Sequence, residues 1–503
     1  MKPRSIAPRR AVLATLLALA VAGACSDRPG SGDGREHAFL SRTPYPAQHV
    51  NPRNADYVEA DAPAEVAPVW TALADSTVPQ PCVSGDGGLV YCMRAWDLAS
   101  DRCNLQALDL PTGALRWEDR VDGRCQLDDH AWMTNPLVDV DGNVYVADSR
   151  QVLSFDRAGR LRWRSDVPST LVSRHDPPLP NQPFGLTVLP SGELVTATLG
   201  DAYVLVLERD TGELAAEPLD VPSAKRRTGG EPPPGFFATL ASPVAARTLY
   251  DVSLGFSEYE NDNNVGVDTH TGLILVTGGA PAPNPGNDGA LWAVRFDRDA
   301  PGGPSLAVQF HVPFPGPGGI ATTPTLTKDG QFVLIGDNES NLVAVDLPAC
   351  AALPAGSVCD AIARAPVETK LGASVTVTPE NRVLVSAAAA GVLAFDVGRR
   401  DGQIFLDRVF LLRFSPYLVS GVLTGFANLT WFPIGSPGTG EHYLVAIDTA
   451  SGEERSRLPA GDFANVTMGE DGATLITNQI NFLEELAGRH GPAGVTAWRA
   501  PAR

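Results

Sequence analysis

Short runs in which apolar and polar residues alternate dominate the chain beyond about residue 65, and Asp-Gly, Thr-Gly and Pro-rich steps punctuate them. The stretch NPLVDVDGNVYVADSRQVLSFDRAGRLRW, residues 135–163, holds four such runs in succession. Val, Tyr and Leu at alternate positions suit a pleated, half-buried strand. Asp141-Gly142 between the first two runs tolerates the positive φ of a tight hairpin turn, and a second glycine turn precedes the run that carries Trp163. The pattern predicts a four-stranded antiparallel meander.

The same order recurs. LQALDLPTGALRW ends the preceding unit at Trp117. The third-run signature returns in VLVLERDTGEL, LWAVRFDRD, LVAVDLPAC, VLAFDVGRRDG and YLVAIDTASGEE, at Leu205, Ala293, Ala344, Ala394 and Ala446. Asp-Gly openings recur at Asp329-Gly330 and Asp471-Gly472. Repeated four-strand units with few helical stretches are the signature of propeller blades, so the fold class is an all-β β-propeller. Opening strand pairs near residues 82, 136, 185, 262, 322, 374, 430 and 464 give eight blades. Seven is the alternative, because the unit around residues 428–457 is irregular. The last unit lacks an outer strand, and EVAPVWTAL, residues 65–73, is an outer strand with Trp70 and no inner strands of its own. This N-terminal strand is expected to pair with the C-terminal blade and close the ring, removing two exposed sheet edges. Trp70, Trp117 and Trp163 fall at matching positions, which predicts packing between neighbouring blades.

The stretch Ala-Leu-Asp-x-x-Thr-Gly-x-Leu-x-Trp at 107–117 resembles the pyrroloquinoline-quinone-like (PQQ-like) repeat. Quinoprotein dehydrogenases share that repeat with the propeller lipoprotein of the outer-membrane β-barrel assembly machinery. The resemblance is close at 106–117 and 137–163 and loose after Asp401. It implies the propeller fold, with function left to be argued from a site.

At the N-terminus, Lys2, Arg4, Arg9 and Arg10 precede an apolar run over 11–24 that is short for a bilayer span, so residues 1–24 read as a signal peptide. The run ends Val21-Ala22-Gly23-Ala24-Cys25, which resembles a lipobox, although Ala22-Gly23-Ala24 also fits ordinary signal cleavage. Seven cysteines become six once Cys25 carries lipid, and a six-membered set can pair completely. Ser26 resembles the sorting pattern of outer-membrane lipoproteins. Residues 25–59, rich in Gly, Pro, Ser and charge, read as a lipidated flexible tether, and residues 60–503 as the propeller. These features place the protein in the cell envelope, lipid-anchored, at the outer membrane facing the periplasm or the cell surface.

Four of the 39 basic residues and none of the 58 acidic ones lie in the leader, which leaves the body at about −23. No basic stripe offsets that charge, so no nucleic-acid partner is expected. In an oxidising compartment Cys82 could bridge to Cys92, Cys350 to Cys359 and Cys103 to Cys125, among the fifteen pairings six cysteines allow. Neither Cys-x-x-Cys nor His-x-x-x-His occurs, so no metal ligand set is assigned, and the histidines at 37, 49, 130, 175, 270, 311, 442 and 490 show no pairing along the chain.

Candidate chemistry centres on VGVDTHTGLILVTGGAPAPNPGNDGALWAVRFD, residues 265–297, which looks like the dehydrogenase stretch whose asparagine ligates the activating calcium. Here that position is Gly279, and Gly286-Asn287-Asp288 inverts the later order. An adjacent cysteine pair, and an Asp-x-x-Asp at a strand end positioned as a general base for alcohol oxidation, are also missing. The resemblance therefore carries no expectation of PQQ or calcium, and no catalytic residue is assigned. Glu258, Glu260, Asp262, Asn264 and Gly266 partly resemble a calcium loop but lack its distal glutamate, and a solvated inter-blade loop is the expectation there. Insertions at 219–259 and 398–430 are long enough to cap one face. The resulting reading is a non-catalytic binding or scaffold protein in the cell envelope, with a protein or envelope ligand as partner. The alternative is a PQQ-dependent dehydrogenase or another propeller enzyme with its site in the central channel.

Overall fold

A computed structural model describes residues 37–501, with its longest omissions at 96–100, 226–230, 235–246, 251–258 and 480–493. Its sheets among the described residues are eight antiparallel blades and a two-stranded hairpin, Arg120–Val121 with Arg124–Cys125, and a single short helix, Leu347–Ala351, is defined there. The innermost strands are Val83–Gly85, Leu137–Val138, Pro183–Val188, Gly266–Val267, Thr325–Leu326, Thr376–Val377, Thr424–Phe426 and Phe463–Met468, taken as blades 1 to 8. These begin close to the eight positions that the hydrophobic pattern predicts. The irregular seventh unit is a full blade carrying two extra short strands, Tyr57–Val58 and Leu418–Val419.

Closure follows the expected seam. Ala67–Ala72 pairs antiparallel with Gly494–Arg499 as the outer strand of blade 8, with Pro68 opposite Trp498 and Ala72 opposite Val495. The tryptophans then repeat one contact around the ring. Trp70 donates its indole N–H to the Leu110 carbonyl at 2.8 Å, Trp117 to Arg157 at 2.9 Å and Trp163 to Arg209 at 3.1 Å. Each ring lies over a turn glycine of the next blade: Gly113, Gly159 and Gly212, all at positive φ. A Cβ at any of the three would come within 2.6 Å of the indole, so glycine is needed for both its backbone and its lack of a side chain.

Antiparallel order fixes two faces. Because each inner strand starts where the previous outer strand ended, the blade-to-blade crossovers and the second-to-third strand turns share one face. The Asp-Gly and Thr-Gly turns share the other. They are called the crossover face and the turn face below.

Two expectations change. Residues 398–430 form no cap; their first half is the outer hairpin of blade 6, Gly391–Arg400 with Gln403–Leu412. The tether expected through residue 59 does not extend that far, since from residue 37 onward the chain packs within the ring. Most of the 219–259 insertion, and Cys25 with the leader, lie outside the described residues.

The three disulfides join Cys82 to Cys92, Cys103 to Cys125 and Cys350 to Cys359. The first staples the two inner strands of blade 1. The third holds the short helix, N-capped by Asp346, against Ser357–Val358, a strand that adds in parallel to the outer strand of blade 4.

Candidate functional site

A propeller normally offers its central channel as a binding site, because the inner strands present backbone groups to the axis. Here residues 39–60 of the same chain take up those groups. The N–H of Ser84 in blade 1 donates to the Tyr45 carbonyl and that of Val138 in blade 2 to Pro46, both at 2.8 Å. Val267, Leu326, Val377 and Gly425 in blades 4 to 7 donate to Pro52, Arg53, Ala55 and Asp56 at 2.7 to 2.9 Å. Six blades thus bond to a twelve-residue stretch at equivalent inner-strand positions, and Tyr57–Val58 continues it as a parallel strand on blade 7.

The segment enters from the turn face. There the Phe39 carbonyl accepts from Val140, and its ring lies over Gly192 and beneath the Arg209 guanidinium. It reaches furthest toward the crossover face at His49 and returns to the turn face, where Glu59 pairs with Lys328. The reversal is tight: His49, Val50, Asn54 and Asp56 all have positive φ. Such backbone is costly for a β-branched residue like Val50 and persists only where the surroundings fix it.

What fixes it is a buried polar cluster at the apex. His49 Nδ1 lies 2.8 Å from Asp56 Oδ2, and Ser374 Oγ donates to the same carboxylate oxygen at 2.6 Å. His49 Nε2 is 3.3 Å from both Asn264 Nδ2 and Thr323 Oγ1. Asn264, Thr323 and Ser374 precede the inner strands of three successive blades, so one imidazole gathers blades 4, 5 and 6. Ser, His and Asp together suggest a hydrolytic relay, but the connectivity is wrong for one. Ser374 gives its proton to Asp56 directly, and Asp56 and Ser374 are buried. Burial, reinforced by the Asp56 charge, also pushes the nearby Tyr45 phenol well above its usual range.

A second cluster lies on the crossover face at the neck of the 219–259 insertion. Arg174 and His175 come from the crossover into blade 3, Asp201 from a second-to-third strand turn, Asp220 from the outer strand, and Glu260 from the returning end of the insertion. Arg174 pairs with Asp201, Asp220 and Glu260. His175 Nε2 lies 3.2 Å from Glu260 Oε1 and 3.9 Å from Asp201 Oδ1. Asp201 also accepts from Asn181, and Glu260 from Ser223 Oγ at 2.7 Å.

The residues singled out for cofactor chemistry lie beside the ends of the 219–259 insertion. Gly279 ends the second strand of blade 4, with the Ala224 carbonyl across it; a Cβ there would meet that oxygen at 2.1 Å. The neighbouring Gly278 is covered as closely by the Glu260 carbonyl. The two ends of the insertion therefore lie against the strand end that carries Gly278 and Gly279, and an asparagine side chain at Gly279 does not fit. Of the calcium-like loop, Glu258 and Asp262 lie outside the described residues. Glu260, Asn261 and Asn264 are buried rather than solvated, and they face three different sets of partners. The histidines without pairing along the chain include two that the fold pairs, His49 and His175.

Residues 58–272 match the family model described as outer membrane protein assembly factor BamB. Among solved structures, quinohemoprotein alcohol dehydrogenase ADHIIG of Pseudomonas putida HK5 is similar over 92% of this chain and 81% of its own, at 13% identity and a TM-score of 0.55. BamB of Moraxella catarrhalis covers 87% of this chain and 99% of its own, at 13% identity and a TM-score of 0.42. No curated protein matches the sequence. At these identities the structural likeness is one of fold.

Proposed function

For an eight-bladed propeller of PQQ-like repeats whose residues 58–272 match the assembly-factor model, we propose the role of a non-catalytic binding scaffold in the cell envelope, anchored by lipid on Cys25. The observation that supports it best is the occupied axis. Six inner-strand amides that could otherwise meet a ligand already bond to residues 45–56 of the same chain. The match to a family of assembly factors points the same way. Function then belongs to the outer surface, where partners meet loops and strand edges. Exposed apolar side chains such as Val69, Leu115, Val358 and Val409 lie on outer strands, apart from the axis.

The alternative, a quinoprotein dehydrogenase, draws on the fold shared with an alcohol dehydrogenase. Three measurements on the full-length chain test the proposal. Thermal melting with calcium and PQQ together is expected to show no shift, while a ligand at a hundred times its Kd would add about 2.7 kcal/mol. In-cell cross-linking is expected to give discrete adducts with envelope proteins, and a Cys25→Ser variant is expected to leave the membrane fraction. A melting shift that needs both PQQ and calcium overturns the scaffold reading.

A further inference from the structure

We infer that His175, Asp201 and Glu260 form a binding site for one divalent transition-metal ion, which clamps the neck of the 219–259 insertion to blade 3. One ligand atom from each of the three residues lies within 4.8 Å of the others. A metal at about 2.1 Å from nitrogen and oxygen donors sets neighbouring donors roughly 3.0 to 3.4 Å apart, for octahedral and tetrahedral geometry respectively. The His175 Nε2 to Glu260 Oε1 distance of 3.2 Å falls in that range, and Asp201 Oδ1 at 3.9 Å needs only a small approach.

Charge points the same way. Asp201 is fully buried and Glu260 nearly so, and Asp220 stands beside them. Among the described residues Arg174 is the one guanidinium pairing with all three, so the cluster holds more negative charge than that cation balances. Burying uncompensated carboxylates is costly, and a divalent ion removes the excess. The supporting contacts are those a metal site needs to hold its ligands. Ser223 Oγ and Arg174 occupy Glu260 Oε2, which leaves Oε1 turned to the imidazole; Asn181 holds Asp201 Oδ2, while Oδ1, fixed by the Arg174 backbone N–H at 2.8 Å and its guanidinium at 3.3 Å, faces the imidazole. One imidazole with two carboxylates suits zinc or manganese. Calcium, which takes six to eight oxygens, suits it poorly.

The three ligands come from the crossover into blade 3, a turn of blade 3 and the segment entering blade 4. An ion there would tie the returning end of the insertion to the rigid ring. This inference is independent of the scaffold reading, since a clamp serves a scaffold or an enzyme equally.

The test is isothermal titration of the full-length protein, stripped of metal by chelator, with zinc chloride, manganese chloride and calcium chloride in turn. Zinc or manganese is expected to fill one site of unit stoichiometry. His175→Ala, a change on a partly exposed crossover, should weaken that site at least tenfold and leave the circular dichroism spectrum unchanged. His270→Ala removes an exposed histidine beside Asp268 and should leave the site intact, which controls for adventitious surface binding. Glu260→Gln should weaken it too; should that variant misfold, His175→Ala decides alone. Absence of a saturable site, equal binding by His175→Ala, or a preference for calcium over both transition metals overturns the inference.

Discussion

His37 begins the described chain and is buried, which lowers its imidazole to about 4 from the usual 6.5. The folded state therefore resists protonation that the unfolded chain accepts. Stability from this residue is complete above about pH 6.5 and is lost as pH falls toward 4, up to about 3 kcal/mol at 1.36 kcal/mol per unit. The melting temperature of His37→Gln should fall less steeply than that of the parent between pH 6.5 and 4; parallel slopes would refute the assignment. Gly279 makes the opposite kind of prediction. Placing an asparagine there with Gly279→Asn should lower stability by about 1–3 kcal/mol, because the new side chain meets the Ala224 carbonyl. Calcium should not recover that loss in a melting experiment, and recovery would show that the strand end can open to a ligand.

Among the elements, the outer strands carry the clearest record of the fold in the sequence. Trp70, Trp117 and Trp163 are legible in the amino-acid order itself because the contact that selects them is periodic: an indole over a glycine turn, one blade on. Trp117→Ala should lower stability by about 2 kcal/mol or more. Trp117→Phe should lose about 1 kcal/mol with the bond to the Arg157 carbonyl, a difference that denaturant melts can resolve. A strand such as Ala67–Ala72 is equally legible, since an outer strand without inner partners must pair elsewhere. Residues 37–59 are not. Their Pro, Ser and charged residues with little apolar periodicity read as a linker, and their order comes from amides on six blades distant in the chain, which no local window contains. The same reason hides the polar clusters. His49 meets residues 264, 323 and 374, and His175 meets residue 260, so neither set shares a motif.

Taken whole, the molecule is a ring held twice by its own beginning, at the outer rim by Ala67–Ala72 and at the axis by residues 39–60. The two can be separated. A chain starting at residue 61 keeps the rim seam and loses the axial segment, so it should still form blades while losing stability on the order of 5 kcal/mol, from six hydrogen bonds worth about 1 kcal/mol each. An unchanged melting temperature in that variant would mean the axial segment only decorates a ring that is stable without it. Greater susceptibility to protease at the inner strands is the accompanying expectation, because water then replaces Pro52, Arg53 and Ala55 as partners of those amides.

The double hold also dictates a timetable. Residues 39–60 precede by hundreds of positions the groups they bind in blades 4 to 7, and the partner of Ala67–Ala72 is Gly494–Arg499. The growing chain must keep this apolar and polar segment waiting, with Tyr45, Val50 and Val58 uncovered, until nearly everything else exists. Contacts of such high sequence separation slow folding, because loop closure must precede any reward from the bonds it permits. Arrival of Gly494–Arg499 at Ala67–Ala72, rather than collapse of any single blade, is then the event that closes the ring.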